Sequence, residues 1–305
     1  MRTRILVVTL LAVLVSANAF AQAQRTWVSG GGDDMNTCSY GSPCRTFAGA
    51  YVKTATGGVI SVQDPGPYSG IFISKSITID GGGTYASVLH TGDGITINFT
   101  TTDSFANTVI LRGLSFDSPT STGFGVVVTG SAPTHVHIEN SSFGRAGAGV
   151  GMFPGGAGSS LKLKNIDIRK MNAYGVAVDP PAGAPLKLLL DDVRISQTAG
   201  YGVILFDNVN GTIRDSTFSN NIYGLSIQAT SVHANVVRSV LSENTTTGLN
   251  HAVAGITTLL DGCSIFGNGT GIANTGSTVI GFSNNSIGNN LSDVTGNAVT
   301  SILQQ

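Results

Sequence analysis

Two independent landmarks recur along this chain with one shared period, and no other feature restricts the fold as strongly. The first is the last large apolar residue of a repeated phrase: Phe116, Phe143, Ile168, Ile195, Phe218, Leu241, Ile265 and Ile287, spaced by 27, 25, 27, 23, 23, 24 and 22 residues. The second is glycine followed by an apolar residue, at Gly125, Gly149, Gly175, Gly202, Gly224, Gly248 and Gly271, spaced by 24, 26, 27, 22, 24 and 23. A period in the range of about 20 to 50 residues marks a solenoid, a propeller or an array.

The columns of the repeat decide among these. Taking each first landmark as zero, the position five before it holds Leu111, Ile138, Leu163, Leu190, Ile213, Val236, Leu260 and Phe282, all apolar. Two residues further back the column is mostly apolar or small. Period-two alternation of this kind is a strand with one buried face. Three before zero stand Gly113, Asn140, Asn165, Asp192, Asp215, Arg238, Gly262 and Asn284. Seven of these eight are glycine, asparagine or aspartate, the residues that tolerate positive φ. That column predicts a corner. A short strand follows it, then a second turn, then the Gly-Val-x-Val strand. Each unit is three short strands with no helical period, so stacking must pair equivalent strands in parallel. A propeller blade needs about 40 residues and antiparallel hairpins. A parallel β-helix remains, of about nine rungs if one is counted around Ile79, at roughly 4.8 Å per rung.

Composition agrees and narrows the function. The chain has 305 residues, 41 of them glycine, 11% charged, with a formal net charge of −1. That balance gives no reason to expect nucleic acid, which selects a basic face. Arginine and lysine are scattered along the sequence, so an anionic membrane surface is no better supported. Arg2 and Arg4 precede an apolar run from Ile5 to Val15, and a small-residue A-x-A site follows, which predicts an export signal over 1–21 cleaved after Ala21, with Ala23 as the alternative. The run is too short to span a bilayer, and no other segment approaches that length. The expected location is secreted, periplasmic or at the cell surface, with no membrane span after cleavage. Cys38 and Cys44, six apart in "CSYGSPC", are expected to form a disulfide in such a compartment.

The phrases "VHIENSSF", "TIRDSTFSNNIYGLSI" and "LLDGCSIFGNGTGIAN" resemble the right-handed parallel β-helix, or pectate-lyase-like, superfamily. The stretch "RTWVSGGGDDMNTCSYGSPCRTFAGAYVKTATGGVISVQDPGPYSG" resembles the N-terminal segment of its secreted bacterial members. The resemblance implies a first strand, a cysteine loop and one short helix leading into the solenoid. The expected layout is a leader at 1–21, this capping segment at 22–58, the β-helix at 59–290 and a C-terminal cap at 291–305. The cap helix falls within Pro43 to Thr56, where Phe47, Ala50 and Tyr51 keep helical spacing.

Several columns hold residues capable of chemistry. Arg112, Glu139, Lys164, Asp191 and Arg214 stand four before zero and alternate in sign, as a cross-strand ion-pair ladder requires. Asp192 and Asp215 share the corner column with Arg238 on the next rung. Two carboxylates beside an arginine can share a proton or bind Ca²⁺, and aspartate is also an ordinary turn residue. Asn221, Asn244, Asn268 and Asn290 lie three after zero on consecutive rungs and predict an asparagine ladder. Tyr174, Tyr201 and Tyr223, with Phe124, precede the landmark glycine. They either pack, inward or at the bend, or form a ligand platform. Cys263 and His251 fall in core-facing columns.

The resemblance implies that catalytic groups of such enzymes sit on the outer face of one sheet or its flanking loops, and identifies that sheet here with the Gly-Val-x-Val strands. Its outward positions Val127, Gly151, Ala177, Ile204, Ser226, Asn250 and Ala273 carry no charge. The loops "TGSAPTH", "FPGGAGSS" and "DPPAGAPLK" that follow add Asp179 and, one rung on, Asp207. An acid/base pair has little to stand on. The reading favours a non-catalytic binder of polysaccharide, cell-surface glycan or another extracellular macromolecule, with no cofactor. The rivals are a polysaccharide lyase or glycosidase using Asp192, Asp215 and Arg238, or Asp179 and Asp207, with Ca²⁺ only for the lyase, and an adhesin-like structural module.

Overall fold

The computed structural model of the protein describes residues 22–84 and 86–302. The expected leader at 1–21 lies outside them. No helix among the described residues is long and apolar enough to cross a membrane.

The repeat folds as a right-handed parallel β-solenoid of about ten turns, close to the nine expected, with a single short helix. Three parallel sheets run its length. The first contains Thr54–Val62, Ile77–Asp80, Thr108–Arg112 and, further on, Val209–Arg214, His233–Val237 and Thr257–Asp261. The second contains Ala86–Leu89, Leu114–Asp117, Thr217–Ser219 and Val240–Ser242. The third contains Phe124–Thr129, Tyr201–Leu205, Tyr223–Ile227 and Thr247–His251. Strands His135–Met152 and Ser160–Val178 are continuous enough to serve all three. Strands Ser292–Gly296 and Thr300–Ile302 stand at the C-terminal end of the third and first sheets.

Side-chain alternation puts one column per strand into the core. Leu111, Ile138, Leu163, Leu190, Ile213, Val236 and Leu260 are all fully buried and in register. The eighth member differs: Gly281, not Phe282, pairs with Leu260, and Phe282 is half-buried. The last corner holds one extra residue, and Asn284 and Asn285 both turn inside it, accepting from the N–H groups of Gly262 and Cys263. Phe116 and Phe143 stack across neighbouring turns with centroids 4.5 Å apart.

The corner column adopts the left-handed conformation, with φ of 62° at Gly113, 51° at Asn140, 52° at Asn165, 54° at Asp192, 52° at Asp215 and 44° at Arg238. A second left-handed column, two after zero, was invisible in the sequence. It runs Arg145, Lys170, Gln197, Asn220, Glu243, Gly267 and Asn289.

The helix Phe47–Lys53 closes the N-terminal end. Thr46 caps it by accepting from the Gly49 N–H at 2.9 Å. Phe47 and Ala50 are buried, and the Phe47 ring meets Tyr68 at 5.0 Å. The Cys38–Cys44 disulfide is formed.

Candidate functional site

Charge gathers on the outer face of the first sheet. Where Val136, Ile138, Leu161, Leu163, Leu188 and Leu190 point inward, their alternating neighbours point outward. Parallel register aligns His137 with Lys162, Glu139 with Lys164, Lys164 with Asp191, and Asp191 with Arg214. His135 stands beside Ser160, which stands beside Lys187. Residues about 25 apart in sequence thus lie about 4.8 Å apart. Six cations (Arg25, Arg112, Lys162, Lys164, Lys187, Arg214) face four carboxylates (Asp80, Glu139, Asp191, Asp261), which makes this a positive strip on a chain of net charge −1.

The alternating column forms ion pairs as its signs suggested. Arg112 pairs with Glu139, and Arg214 donates to Asp191 at 2.7 Å. The Arg214 guanidinium and its hydrogen bond hold the Asp191 carboxyl below its ordinary value. Lys162, Lys164 and Lys187 make no ion pair among the described residues. His137 lies 3.3 Å from Glu139 with a quarter of its side chain exposed. Burial pushes its imidazole basicity down. The Glu139 charge pulls it up, and Lys162, Arg112 and Lys164 push it further down. His137 is therefore neutral at neutral pH, inside a ring of cations.

Asp192 and Asp215 each turn to an arginine. Asp192 accepts from Arg194 at 2.8 Å, and Asp215 accepts two bonds from Arg238, both 2.8 Å. The Arg238 bonds hold the Asp215 carboxyl below the usual range, so it stays ionised and is a poor proton donor. With each carboxylate turned to its own guanidinium, these residues do not offer the converging oxygens of a Ca²⁺ site. Among the described residues, no group of three or more His, Cys, Asp or Glu is placed to hold a metal.

Asp179 and Asp207 do interact. Burial and then the Asp207 charge push the Asp179 carboxyl up. Asp207 itself accepts from the Asn208 N–H at 2.9 Å and from the Ser231 hydroxyl. Among the described residues, no ion pair from an arginine or lysine reaches either.

The tyrosines form a column along the axis. Tyr174 and Tyr201 stack with centroids 6.1 Å apart, and Tyr201 and Tyr223 at 4.7 Å. All three are half-buried. Because the rings face one another, the middle ring has no free face for a sugar. The outer row of the third sheet is buried at Val127, Ala177, Ile204 and Ser226. A Cβ on Gly151 would come within 2.6 Å of the Phe124 and Phe153 rings, so aromatic side chains lie over that face. The Asn221–Asn290 ladder is formed, with Nδ2 to Oδ1 distances of 3.2, 2.9 and 2.9 Å. Cys263 and His251 are buried as their columns required.

A groove of about 620 Å³ also runs along the second sheet, with Asp80, Arg112, Asn140, Asn165, Asp167 and Arg194 in its walls. Its arginines and Asp167 are neutralised pairwise, Arg112 by Glu139, Arg194 by Asp192, and Asp167 by Arg169. The first sheet groups three lysines that make no ion pair among the described residues. Sequence reading missed His135, His137, Lys162 and Lys187 because, of this sheet's outward columns, only the one four before zero was weighed for charge. The columns six and eight before zero hold the missing residues.

The sequence profile of the family described as the right handed beta helix region matches residues 106–287. Among solved structures, pectate lyase Pel9A superposes with a TM-score of 0.65 at 18% identity, covering 90% of this chain and 78% of that one. The A-module of the Azotobacter vinelandii mannuronan C-5 epimerase AlgE6 superposes with a TM-score of 0.51 at 14% identity, covering 92% and 87%. At these identities the likeness is one of fold. No curated protein matches the chain by sequence.

Proposed function

The chain belongs to the right-handed β-helix family, and from that premise we propose that it binds an extended acidic polysaccharide, outside the cytoplasm, along the outer face of the first sheet. The observation that carries this is the strip of Lys162, Lys164 and Lys187, cations without ion-pair partners, aligned by the register between Arg112 and Arg214. A polymer with regularly spaced carboxylates meets a matching row of cations, and polar side chains such as Ser160 and Asn210 border it. Affinity of this kind is electrostatic and falls with salt. Two proteins of similar fold bear names that place pectate and mannuronan among their substrates, which supports a polysaccharide ligand. The Cys38–Cys44 disulfide and the leader read from 1–21 support the location. An adhesin-like module would share the fold but gives no reason for the cationic strip.

One observation favours a second reading. A neutral His137 among three cations could take the proton α to a uronate carboxylate. The electron pair would delocalise into the carboxylate, held by Arg112, Lys162 and Lys164. Expulsion of the C4 oxygen, protonated by water, would then leave an unsaturated sugar.

One assay separates the readings. The protein is passed over immobilised polygalacturonate, alginate and neutral glucan while unsaturated-uronate absorbance and reducing ends are followed. Retention on the acidic polymers alone, without turnover, is expected. Turnover abolished in His137→Ala would establish the enzyme. Equal retention on neutral glucan, or none on any polymer, would overturn the binding reading.

A further inference from the structure

Beyond the cationic strip, the first sheet carries an aromatic corner at its N-terminal end. Strand Ala23–Val28 pairs with Thr54–Val62, and its alternation buries Thr26 and Val28 while Arg25 and Trp27 point outward. The register places Trp27 opposite Ser61, Ser61 opposite Asp80, and Asp80 opposite Arg112. Trp27 therefore stands in the same outer row as Arg112 and Glu139, three turns before Arg112.

The disulfide loop brings a second ring to it. Both ends of the loop hydrogen-bond the backbone of Trp27 itself: its N–H donates to the Cys38 carbonyl at 2.8 Å, and the Cys44 N–H donates to its carbonyl at 2.9 Å. Between the cysteines, Ser39 and Ser42 close a tight turn with Tyr40 inside it. The Tyr40 ring meets Trp27 edge to face, with centroids 5.0 Å apart and planes at 86°. The Gln63 side chain holds the Tyr40 carbonyl at 2.6 Å. On the Trp27 side, Arg25 lies over the indole at 5.7 Å and donates to the Ser61 hydroxyl at 2.9 Å. Trp27 is thus braced by neighbours, while Tyr40 is 71% exposed. A large aromatic ring so exposed, yet fixed from below by a disulfide, two backbone hydrogen bonds and an indole, is already ordered before any ligand arrives.

We propose that Tyr40, supported by Trp27 and Arg25, is an aromatic subsite that stacks on one sugar ring of the acidic polysaccharide held by the cationic strip. The inference rests on the reading above and adds a ruler to it. The apolar C–H face of a pyranose covers an aromatic ring, and Arg25 over the neighbouring indole adds a cation to attract a uronate carboxylate. Along this row Trp27 and Lys164 are five turns apart, on the order of 24 Å at roughly 4.8 Å per turn. Only a chain long enough to cover that span engages both sites, and its second contact is then intramolecular.

Trp27 is the only tryptophan in the protein, so its emission reports on the ring beside it. The test titrates the oxidised protein with polygalacturonate and with digalacturonate, following Trp27 fluorescence and, independently, retention on immobilised polygalacturonate. Long polymer should change the emission. Tyr40→Ala should weaken polymer binding by about tenfold, Tyr40→Phe should restore it, and digalacturonate binding at the cations should not respond to Tyr40→Ala. Reduction of the disulfide should reproduce the Tyr40→Ala loss. Retention by wild type with no emission change, and none lost in Tyr40→Ala, overturns the subsite and leaves the cationic strip standing. No retention of wild type on any acidic polymer overturns both.

Discussion

The turns before Ser196 and the turns after it build the same cross-section from different side chains. At the second bend, three residues after the landmark position, the earlier turns use Ala146 and Met171, both buried and apolar. The later turns use Asn221, Asn244, Asn268 and Asn290, whose amides bond to one another and to the carbonyls of Ile195, Phe218, Leu241 and Ile265. Thr198 lies at the junction, buried, with its hydroxyl unpartnered and its N–H donating to Asn221. The first sheet changes in step. Its outer rows hold His137, Lys162, Lys164 and Asp191 in the earlier turns, and Arg214, His233, Asn235, Val237, Thr257, Leu259 and Asp261 in the later ones. The inner scaffold of the early half is generic and its surface is specialised. In the late half the interior is specialised and the first sheet's outer face carries no lysine.

The sharpest way to break this contrast is to exchange the bends. Asn244→Leu should cost about 4 kcal/mol in urea unfolding, because the Asn221 N–H and amide lose their acceptor and the Phe218 carbonyl its donor inside the core. Met171→Leu should cost less than about 1.5 kcal/mol. Equal costs would mean that the ladder is not what holds the late turns. Exchanging surfaces comes next. Lys162→Glu with Lys187→Glu should weaken retention on polygalacturonate about thirtyfold, or about 2 kcal/mol where 1.4 kcal/mol is tenfold, and flatten its salt dependence. Asn235→Glu in the late half should change retention by less than about twofold.

Thr198→Asn would extend the ladder across the junction. It replaces an unpartnered hydroxyl with an amide that can accept from the Met171 side of the stack, and should stabilise the protein by about 1 kcal/mol. A loss would show that the junction bend is too tight for the larger side chain.

The smallest effect is with pH. His251 is buried in the late half, with Nε2 2.9 Å from the Thr258 hydroxyl and Nδ1 3.4 Å from the Asn274 oxygen. Burial pushes its imidazole basicity below the ordinary histidine value. Its stabilisation is therefore intact above the ordinary range, roughly pH 6.5. As pH falls from there toward the depressed folded value, the unfolded chain takes up the proton first and stability drops. Hydrogen-exchange protection factors in the late turns, corrected for the intrinsic rate at each pH, should fall over that window, and His251→Gln should remove most of the dependence. His137, depressed in the same direction but partly exposed, should contribute less to the early turns.

The fold was legible because stacking repeats its constraints. One buried column and one corner column, each restated on every turn, specify strand, face and register. The second left-handed column escaped notice because Arg145, Lys170, Gln197 and Glu243 have no preference for positive φ. Their conformation is imposed by the strands on either side. Arg238 at the first corner is the same case. The binding strip was hidden for a different reason. Lysines 25 residues apart look scattered until the register is known, and the outward row weighed for catalytic groups belongs to a sheet whose outer face is covered. The carboxylates that sequence reading singled out were real neighbours of charge, but Asp192 and Asp215 each had a nearer arginine than either had a partner acid.

The asparagine ladder has a direction. Each amide nitrogen donates toward the next turn, from Asn221 through Asn268 to Asn290, and the last donates to the Asp293 carboxylate at 3.0 Å. The amide dipoles therefore add head to tail, and an anion sits at their positive end, polarising every link behind it. The thread is mechanically asymmetric. Force applied near Asp293 must first rupture a charge-assisted bond, whereas force applied near Thr198 meets only a neutral one. Peeled turn by turn, this half of the protein should resist more from its C-terminal side.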